Sequence, residues 1–294
     1  MADDAIQVPS LLPLAARARL ARGRRLSTVV DGARLVAHVW APEAGAAADS
    51  SPVVLFHGGS GSWTHWVKNI LPLVDTGRHV LAIDLPGFGD SDPAPGGTDA
   101  DAMLEPLAAA LSEWLAGQWC DLVGFSFGGM TAGMLLASHH ALARRLVLVG
   151  APAMGVARGR PFVLKGWRHL KTPQEQAEIH RHNLGLLMLH DHDLIDGLAL
   201  EVHTTNVQRD RLPRRRLAQT DILARSLPRV QCPVSAIYGA HDVLYRDHID
   251  QLGAAFAAAT PRFEGLQLIP GAGHWVQFEA PEAFDAALMR ALAA

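Results

Sequence analysis

Leu122-Val123-Gly124-Phe125-Ser126-Phe127-Gly128-Gly129 decides how this chain folds. The stretch closes an apolar run that starts at Trp119 and opens a helical pattern at 127–138. One serine flanked by glycines, between a strand and a helix, fits a strand-to-helix elbow of the form G-x-S-x-G. So tight a turn forces unusual backbone angles on the serine. Gly124 and Gly128 remove the Cβ atoms that would collide there. The Ser126 hydroxyl is thereby lifted off the end of the strand, at the positive end of the next helix. Ser126 is the first candidate nucleophile.

The flanking chain repeats the same alternation. Strands are expected at 26–30, 34–40, 53–56, 79–83, 119–123, 145–149, 234–238 and 266–269. The first two flank Asp31-Gly32, a hairpin signal. The later ones are short, rich in Val, Leu and Ile and separated by helices, the pattern of parallel strands covered on both faces. Helices are expected at 64–74, 100–115, 127–138, 247–259 and 282–292. The fold class is α/β, an eight-stranded, mostly parallel sheet with helices on both sides. The alternation stops over 151–229, where 173–189 and 192–205 have helical patterns and no strand is convincing. The alternating segments are therefore 1–150 and 230–294, with a helical stretch at 151–229 between them. Ala44 to Ser51 is a small-residue loop.

Bulk composition narrows the function. The 294 residues are 49% hydrophobic and 19% charged with net charge −3, which suits a soluble domain and offers no footprint for nucleic acid. No apolar run approaches the ~20 residues that span a bilayer. Cys120 and Cys232, without a secretory leader, read as buried structural thiols in a cytoplasmic protein. The segment 11–25 is rich in Ala, Leu and Arg and reads as a basic amphipathic helix lying on the domain. The expected partner is a small-molecule substrate, with no nucleic acid and no stable membrane association. Self-association into a homo-oligomer stays open.

Three further segments, with the elbow, resemble the α/β-hydrolase superfamily in the same order. Val53 to Gly61 resembles its third strand and oxyanion loop. Asp84-Leu85-Pro86-Gly87-Phe88-Gly89-Asp90-Ser91 resembles the turn after its fourth strand. Ile269-Pro270-Gly271-Ala272-Gly273-His274-Trp275 resembles the last strand and the loop of its catalytic histidine. The resemblance spans about 26–150 and 230–294 and implies the α/β-hydrolase fold, with a helical cap at 151–229.

A serine hydroxyl needs a base. His274, one of 15 histidines, is chosen by its place in Gly-Ala-Gly-His-Trp. A carboxylate must hold that imidazole, and Asp242, just past the 234–238 strand, completes the order Ser, Asp, His. Asp84 is the main rival, in a segment that reads as a structural turn; Asp121 lies in the elbow strand and Asp247 begins the next helix. The expected oxyanion donors are the backbone N–H groups of Phe127 and Gly59, with Ser60 the alternative to Gly59. His57 reads as the anchor of that loop. Phe125, Ser60 and Trp275 are the candidate substrate contacts.

His190-Asp191-His192-Asp193 lacks the spacing and further donors of a metal site, so neither metal nor cofactor is expected. The run from Arg209 to Arg216 reads as a cap surface or hinge. One of its arginines remains a candidate for an anionic substrate group.

A serine at the elbow points to ester chemistry rather than to the carboxylate nucleophile of dehalogenases. Gly273 to Glu279 is similar to the histidine segment of meta-cleavage-product hydrolases, where Trp follows the catalytic His. That family usually carries Asn where this chain has Phe125, and its Gly-rich oxyanion loop usually carries Pro and then Asn, while this chain reads Ser60-Gly61-Ser62-Trp63-Thr64-His65-Trp66. The leading expectation is hydrolysis of a small to medium apolar carboxylic ester through an acyl-enzyme on Ser126. The alternatives are carbon–carbon hydrolysis of a dienoate and, in another class, a non-catalytic ligand receptor on the same fold.

Overall fold

A sheet of eight strands in the order β1-β2-β4-β3-β5-β6-β7-β8 frames the protein. The computed structural model describes residues 6–42, 51–156, 162–195, 197–212 and 214–293. The strands are β1 (Arg24–Val30), β2 (Ala33–Trp40), β3 (Val53–Phe56), β4 (Val80–Asp84), β5 (Cys120–Phe125), β6 (Ala143–Val149), β7 (Val234–Gly239) and β8 (Phe263–Ile269). From β4 onward every pair is parallel; β1–β2 and β2–β4 are antiparallel. The hairpin turn takes positive φ at both Asp31 (50°) and Gly32 (82°), the geometry that an Asp-Gly pair favours.

Alternation along the strands builds two cores. Val54, Phe56, Leu81, Ile83, Leu122, Leu146 and Leu148 face one layer. Val53, Leu55, Val80, Ala82, Val123, Val147 and Val149 face the other. Both faces are dry because helices cover both, which is why these strands lack polar alternation. The helices are α1 (Leu14–Leu20), α2 (Ile70–Asp75), α3 (Leu104–Leu115), α4 (Phe127–Ser138), α5 (Pro173–Asn183), α6 (Gly197–Gln208), α7 (Ile222–Ser226), α8 (Leu252–Ala259), α9 (Val276–Glu279) and α10 (Pro281–Ala293).

The central strand β5 delivers Ser126 at its carboxyl end, and α4 starts at the next residue. Between β6 and β7 the described residues contain helices and no strand. Thr172 starts α5 with a capping box: its hydroxyl accepts from Glu175 N–H, while Glu175 reaches back to Thr172 N–H. A π-turn, Leu184–Met188, extends that helix. The start of this segment is pinned by two phenols, Tyr238 and Tyr245, which both donate to Ala151 O, at 2.8 and 2.9 Å.

Some expectations shift. The basic stretch 11–25 does not form one helix: α1 covers seven residues, buries only Leu20, and yields to β1 at Arg24. Trp119 is 62% exposed and precedes β5 rather than starting it. The 64–74 pattern splits into a 3-10 turn, Trp63–Trp66, and α2. Both cysteines are free and buried. The expected loop from Ala44 to Ser51 lies, except for Ser51, outside the described residues.

Candidate active site

The elbow has the strain that its sequence implies. Ser126 adopts φ 50° and ψ −120°, and its N–H donates to Val149 O at 2.7 Å, tying the turn to β6. A Cβ on Gly124 would stand 2.6 Å from Gly129 Cα, and one on Gly128 2.3 Å from His57 O. Neither position can carry a side chain while β5 and α4 pack this closely.

Three distant segments converge on the serine. Ser126 Oγ lies 2.9 Å from His274 Nε2, and His274 Nδ1 lies 2.8 Å from Asp242 Oδ2. A carboxylate only accepts, so Nδ1 carries the proton and Nε2 is left as the acceptor for the serine O–H. The imidazole is 3% exposed and the carboxylate is fully buried. Leu244 N–H donates to the other Asp242 oxygen at 3.0 Å, fixing the carboxylate plane. Glu279 steadies the histidine loop: it accepts from Gly273 N–H and Asp191 N–H, both at 2.6 Å. Burial raises the Glu279 carboxyl, and these backbone donors oppose the rise.

The N–H groups of Phe127 and Gly59 find no acceptor among the described residues and are free to serve an oxyanion. Both residues line a cavity of about 330 Å³ that opens on Ser126 and His274. His57 shapes the loop from beneath. Its Nδ1 donates to Gly58 O at 2.7 Å and its Nε2 accepts from Leu85 N–H at 2.9 Å. That pattern fixes one neutral tautomer, and burial lowers its pKa further.

Asp84, the rival carboxylate, belongs to the framework. It accepts from Trp63 N–H at 2.8 Å and Asp90 N–H at 2.9 Å, and meets His38 Nε2 at 3.3 Å. Burial would raise its carboxyl; His38, His57 and the Asp90 N–H outweigh that and hold it at about 2. His38, Asp84 and Asp90 bring potential ligand atoms within 4.8 Å of one another. Those oxygens are already committed, since Asp90 also pairs with Arg209.

Of the candidate substrate contacts, Phe125 and Ser60 line the cavity. Trp275 does not. It is fully buried, stacks on Phe278 at 4.1 Å, and donates its indole N–H to His65 O at 3.0 Å. Adjacency to His274 in sequence sent its side chain the other way, where it supports His65. His65 is the wall that sequence reasoning missed: it accepts from Gly58 N–H at 3.2 Å through Nδ1 and lies 5.6 Å from the Phe125 ring. Burial first, then His57, His203 and His274, push its pKa well below the ordinary value.

In the 209–216 run Arg211, Arg214 and Arg216 are exposed, but Asp210 and Arg215 turn inward. Asp210 accepts from Ser60 Oγ at 2.5 Å and from Arg215 Nη1 at 2.8 Å, while Arg215 Nη2 donates to Ser60 Oγ at 3.0 Å. Arg211 N–H donates to Gly87 O at 3.0 Å. This stretch clamps the helical segment to the loop after β3 and to the turn after β4. No local string announces such a clamp, because its partners lie more than a hundred residues away. The two imidazoles of His190-Asp191-His192-Asp193 part company: His190 stacks on His241 at 3.9 Å, and His192 Nε2 reaches Gly185 O at 3.2 Å.

Residues 53–287 match the profile of the alpha/beta hydrolase family. The 2-hydroxy-6-oxo-6-phenylhexa-2,4-dienoate hydrolase of Burkholderia cepacia is 25% identical over 257 residues, covering 81% of this chain and 86% of that protein. A 2-hydroxy-6-oxononadienedioate/2-hydroxy-6-oxononatrienedioate hydrolase of a Pseudomonas species is 25% identical, covering 82% and 87%. Among solved structures, a carboxylesterase from Bacillus subtilis superposes with a TM-score of 0.74 at 17% identity, covering 95% of this chain and 94% of its own. An esterase from a Rhodococcus species gives 0.70 at 22% identity, covering 92% and 98%. These structural likenesses speak for the fold. The chain belongs to the alpha/beta hydrolase family.

Proposed function

We propose that this member of the alpha/beta hydrolase family is a cytoplasmic serine esterase that cleaves small to medium apolar carboxylic esters through an acyl-enzyme on Ser126. One observation carries the reading. At a strained turn, Ser126 Oγ stands 2.9 Å from the unprotonated nitrogen of an imidazole whose other nitrogen is held by a buried carboxylate.

The chemistry follows from those contacts. His274 Nε2 takes the Ser126 proton as Oγ bonds to the ester carbonyl carbon. The carbonyl oxygen becomes an oxyanion, met by the N–H groups of Phe127 and Gly59. Asp242 keeps Nδ1 protonated and offsets the imidazolium charge. The imidazolium then protonates the leaving alcohol oxygen as the carbon–oxygen bond breaks. Water repeats the sequence, giving its proton to His274 and its oxygen to the acyl carbon, and Ser126 regains its proton. Residues 151–229 act as the cap that roofs this site and sets what enters.

Phe125 and the neighbouring ring of His65 give the cavity an apolar floor beside the nucleophile. Arg215 supplies a cation at the rim, but Asp210 already pairs with it. Both features favour an uncharged acyl group beside Ser126, while Lys165 and Arg168 line the same cavity. Carbon–carbon hydrolysis of a dienoate is the second reading, favoured by the printed activities of the two relatives above.

The test compares kcat/KM for p-nitrophenyl acetate, butyrate and octanoate with that for a phenyl-substituted oxo-dienoate. Neutral esters are expected to lead by at least about tenfold. A lead for the dienoate would promote the second reading. Failure of a fluorophosphonate to label Ser126 would reject both.

A further inference from the structure

Few buried polar side-chain atoms lack a partner among the described residues, and of the groups concerned only His180 lines the cavity that holds Ser126. Neither its Nδ1 nor its Nε2 has a hydrogen-bond partner, and the side chain is fully buried. The ring sits on α5 between Trp167, 5.0 Å away, and His203 on α6, 5.4 Å away and nearly edge-on at 74°. His203 also lines the cavity, and no protein hydrogen bond engages its ring among the described residues. Two facing imidazoles therefore share this wall with Trp167, Leu187, Met188 and Val207, and with the charged Lys165 and Arg168. A position with only a packing role is better filled by Phe or Leu, because a buried polar atom without a partner is costly.

The geometry points to a substrate subsite at His180 and His203 that takes an uncharged hydroxyl group carried on an otherwise apolar substrate. The proposal rests on the reading of this cavity as the substrate pocket of a hydrolase.

A neutral imidazole carries one N–H donor and one bare acceptor nitrogen. Only a group that donates and accepts can meet both. A hydroxyl does so with a single atom, whereas a ketone or ether oxygen uses the donors alone. Charge points the same way. Burial lowers the His180 pKa, and burial together with His180 pushes His203 down to about 3, so both rings are neutral near pH 7. A neutral pair gives a carboxylate no countercharge of its own, so a carboxylate in this cavity would be drawn to Lys165 or Arg168 rather than to the pair. An ammonium group would meet Lys165 and Arg168, which line the same cavity.

The subsite is read by binding, in a protein that cannot turn over. Ser126→Ala protein is titrated calorimetrically with methyl 3-phenylpropanoate and with methyl 3-(4-hydroxyphenyl)propanoate. The hydroxyl compound is expected to bind at least about threefold more tightly. His180→Phe in the same background should bring the ratio to about one, and His180→Gln, which can donate and accept, should restore it. The His180 ring nitrogens are followed by ¹⁵N NMR in the Ser126→Ala protein, so the readout survives if a variant fails to fold. They should shift with the hydroxyl compound and stay put with its parent. A ratio below about threefold, a ratio that survives His180→Phe, or unmoved ring nitrogens would overturn the proposal. Turnover of the same two esters by the unmodified protein is measured separately. Absent turnover with an intact binding preference would reject the esterase reading and leave the subsite standing.

Discussion

A buried carboxylate of the sheet and a buried imidazole of the helical segment are met differently by the protein. Asp121 on β5 is fully buried, yet Arg144 grips both its oxygens, at 2.9 and 3.0 Å, and Arg78 adds a further contact. Asp84 and His57 each have at least two partners. On α5, neither ring nitrogen of His180 has a partner among the described residues, although Asn183 beside it and Asn206 on α6 are hydrogen-bonded at both ends. Satisfied groups have one low-energy arrangement, so they hold the strand ends that carry Ser126, Asp242 and His274. Unsatisfied groups leave a choice of partner open. On the proposed reading, the sheet supplies reaction geometry, and the helical segment supplies the surface on which ligands are told apart.

The largest effect should come from the sheet side. Ser126→Ala is expected to lower kcat by at least about 10⁴-fold with the melting temperature nearly unchanged, since alanine adds no clash at the turn. Residual ester turnover above a few per cent in a clean preparation would break the division at its strongest point. Next comes Asp242→Asn, which leaves His274 without a partner for its imidazolium. A loss of roughly 10³–10⁴ in kcat is expected, read in steady-state kinetics beside a thermal melt.

Asp84→Asn sharpens the contrast between framework and chemistry. An amide cannot accept on both sides, so Trp63 N–H or Asp90 N–H loses its acceptor, at a cost of about 1–3 kcal/mol. The melt should drop by several degrees while kcat stays within about threefold of the unmodified protein. A severe kinetic loss with a normal melt would instead put Asp84 in the reaction.

Acid should separate the two regions more gently. The Asp84 pKa is lower in the folded chain than its ordinary 3.8. Its contribution is therefore complete above pH 3.8 and is lost as pH falls toward about 2. The His203 pKa is also lowered, from 6.5 to about 3, so the unfolded chain takes up a proton that the folded chain refuses. Its contribution is complete above pH 6.5 and drains away as pH falls toward 3. Hydrogen exchange, corrected for intrinsic rates, should show α5, α6 and the loop after β3, where burial lowers His57 and His65 in the same direction, losing protection below pH 6.5, while the turn held by Asp84 persists to about pH 3.8. Simultaneous loss would blur the distinction drawn here.

The sequence made the sheet region legible for a physical reason. Gly124, Gly128, Asp31 and Gly32 stand where the backbone has almost no alternative, so each announces a turn by itself. His274 and Asp242 follow strands whose apolar runs are hard to misplace. The helical segment offers no such constraint. His180 and His203 become neighbours only when α5 packs on α6, and Ser60, Asp210 and Arg215 meet across most of a domain's length of chain. Trp275 misled for the opposite reason: proximity along the chain says nothing of direction, and its ring points into support rather than into the cavity.

The β6–β7 pairing has a consequence in polymer terms. The two strands are hydrogen-bonded neighbours although the whole helical segment passes between them. The entropy of closing a loop grows only with the logarithm of its length, so each doubling costs about 0.6 kcal/mol and a tenfold extension about 2 kcal/mol. Ala151, held by the phenols of Tyr238 and Tyr245, fixes where the excursion departs, whatever follows it. The sheet therefore scarcely senses how many residues travel out and back. Insertions, deletions and wholesale exchange of that excursion are the changes this architecture tolerates at least expense, and a lineage can remodel its ligands there without renegotiating its core.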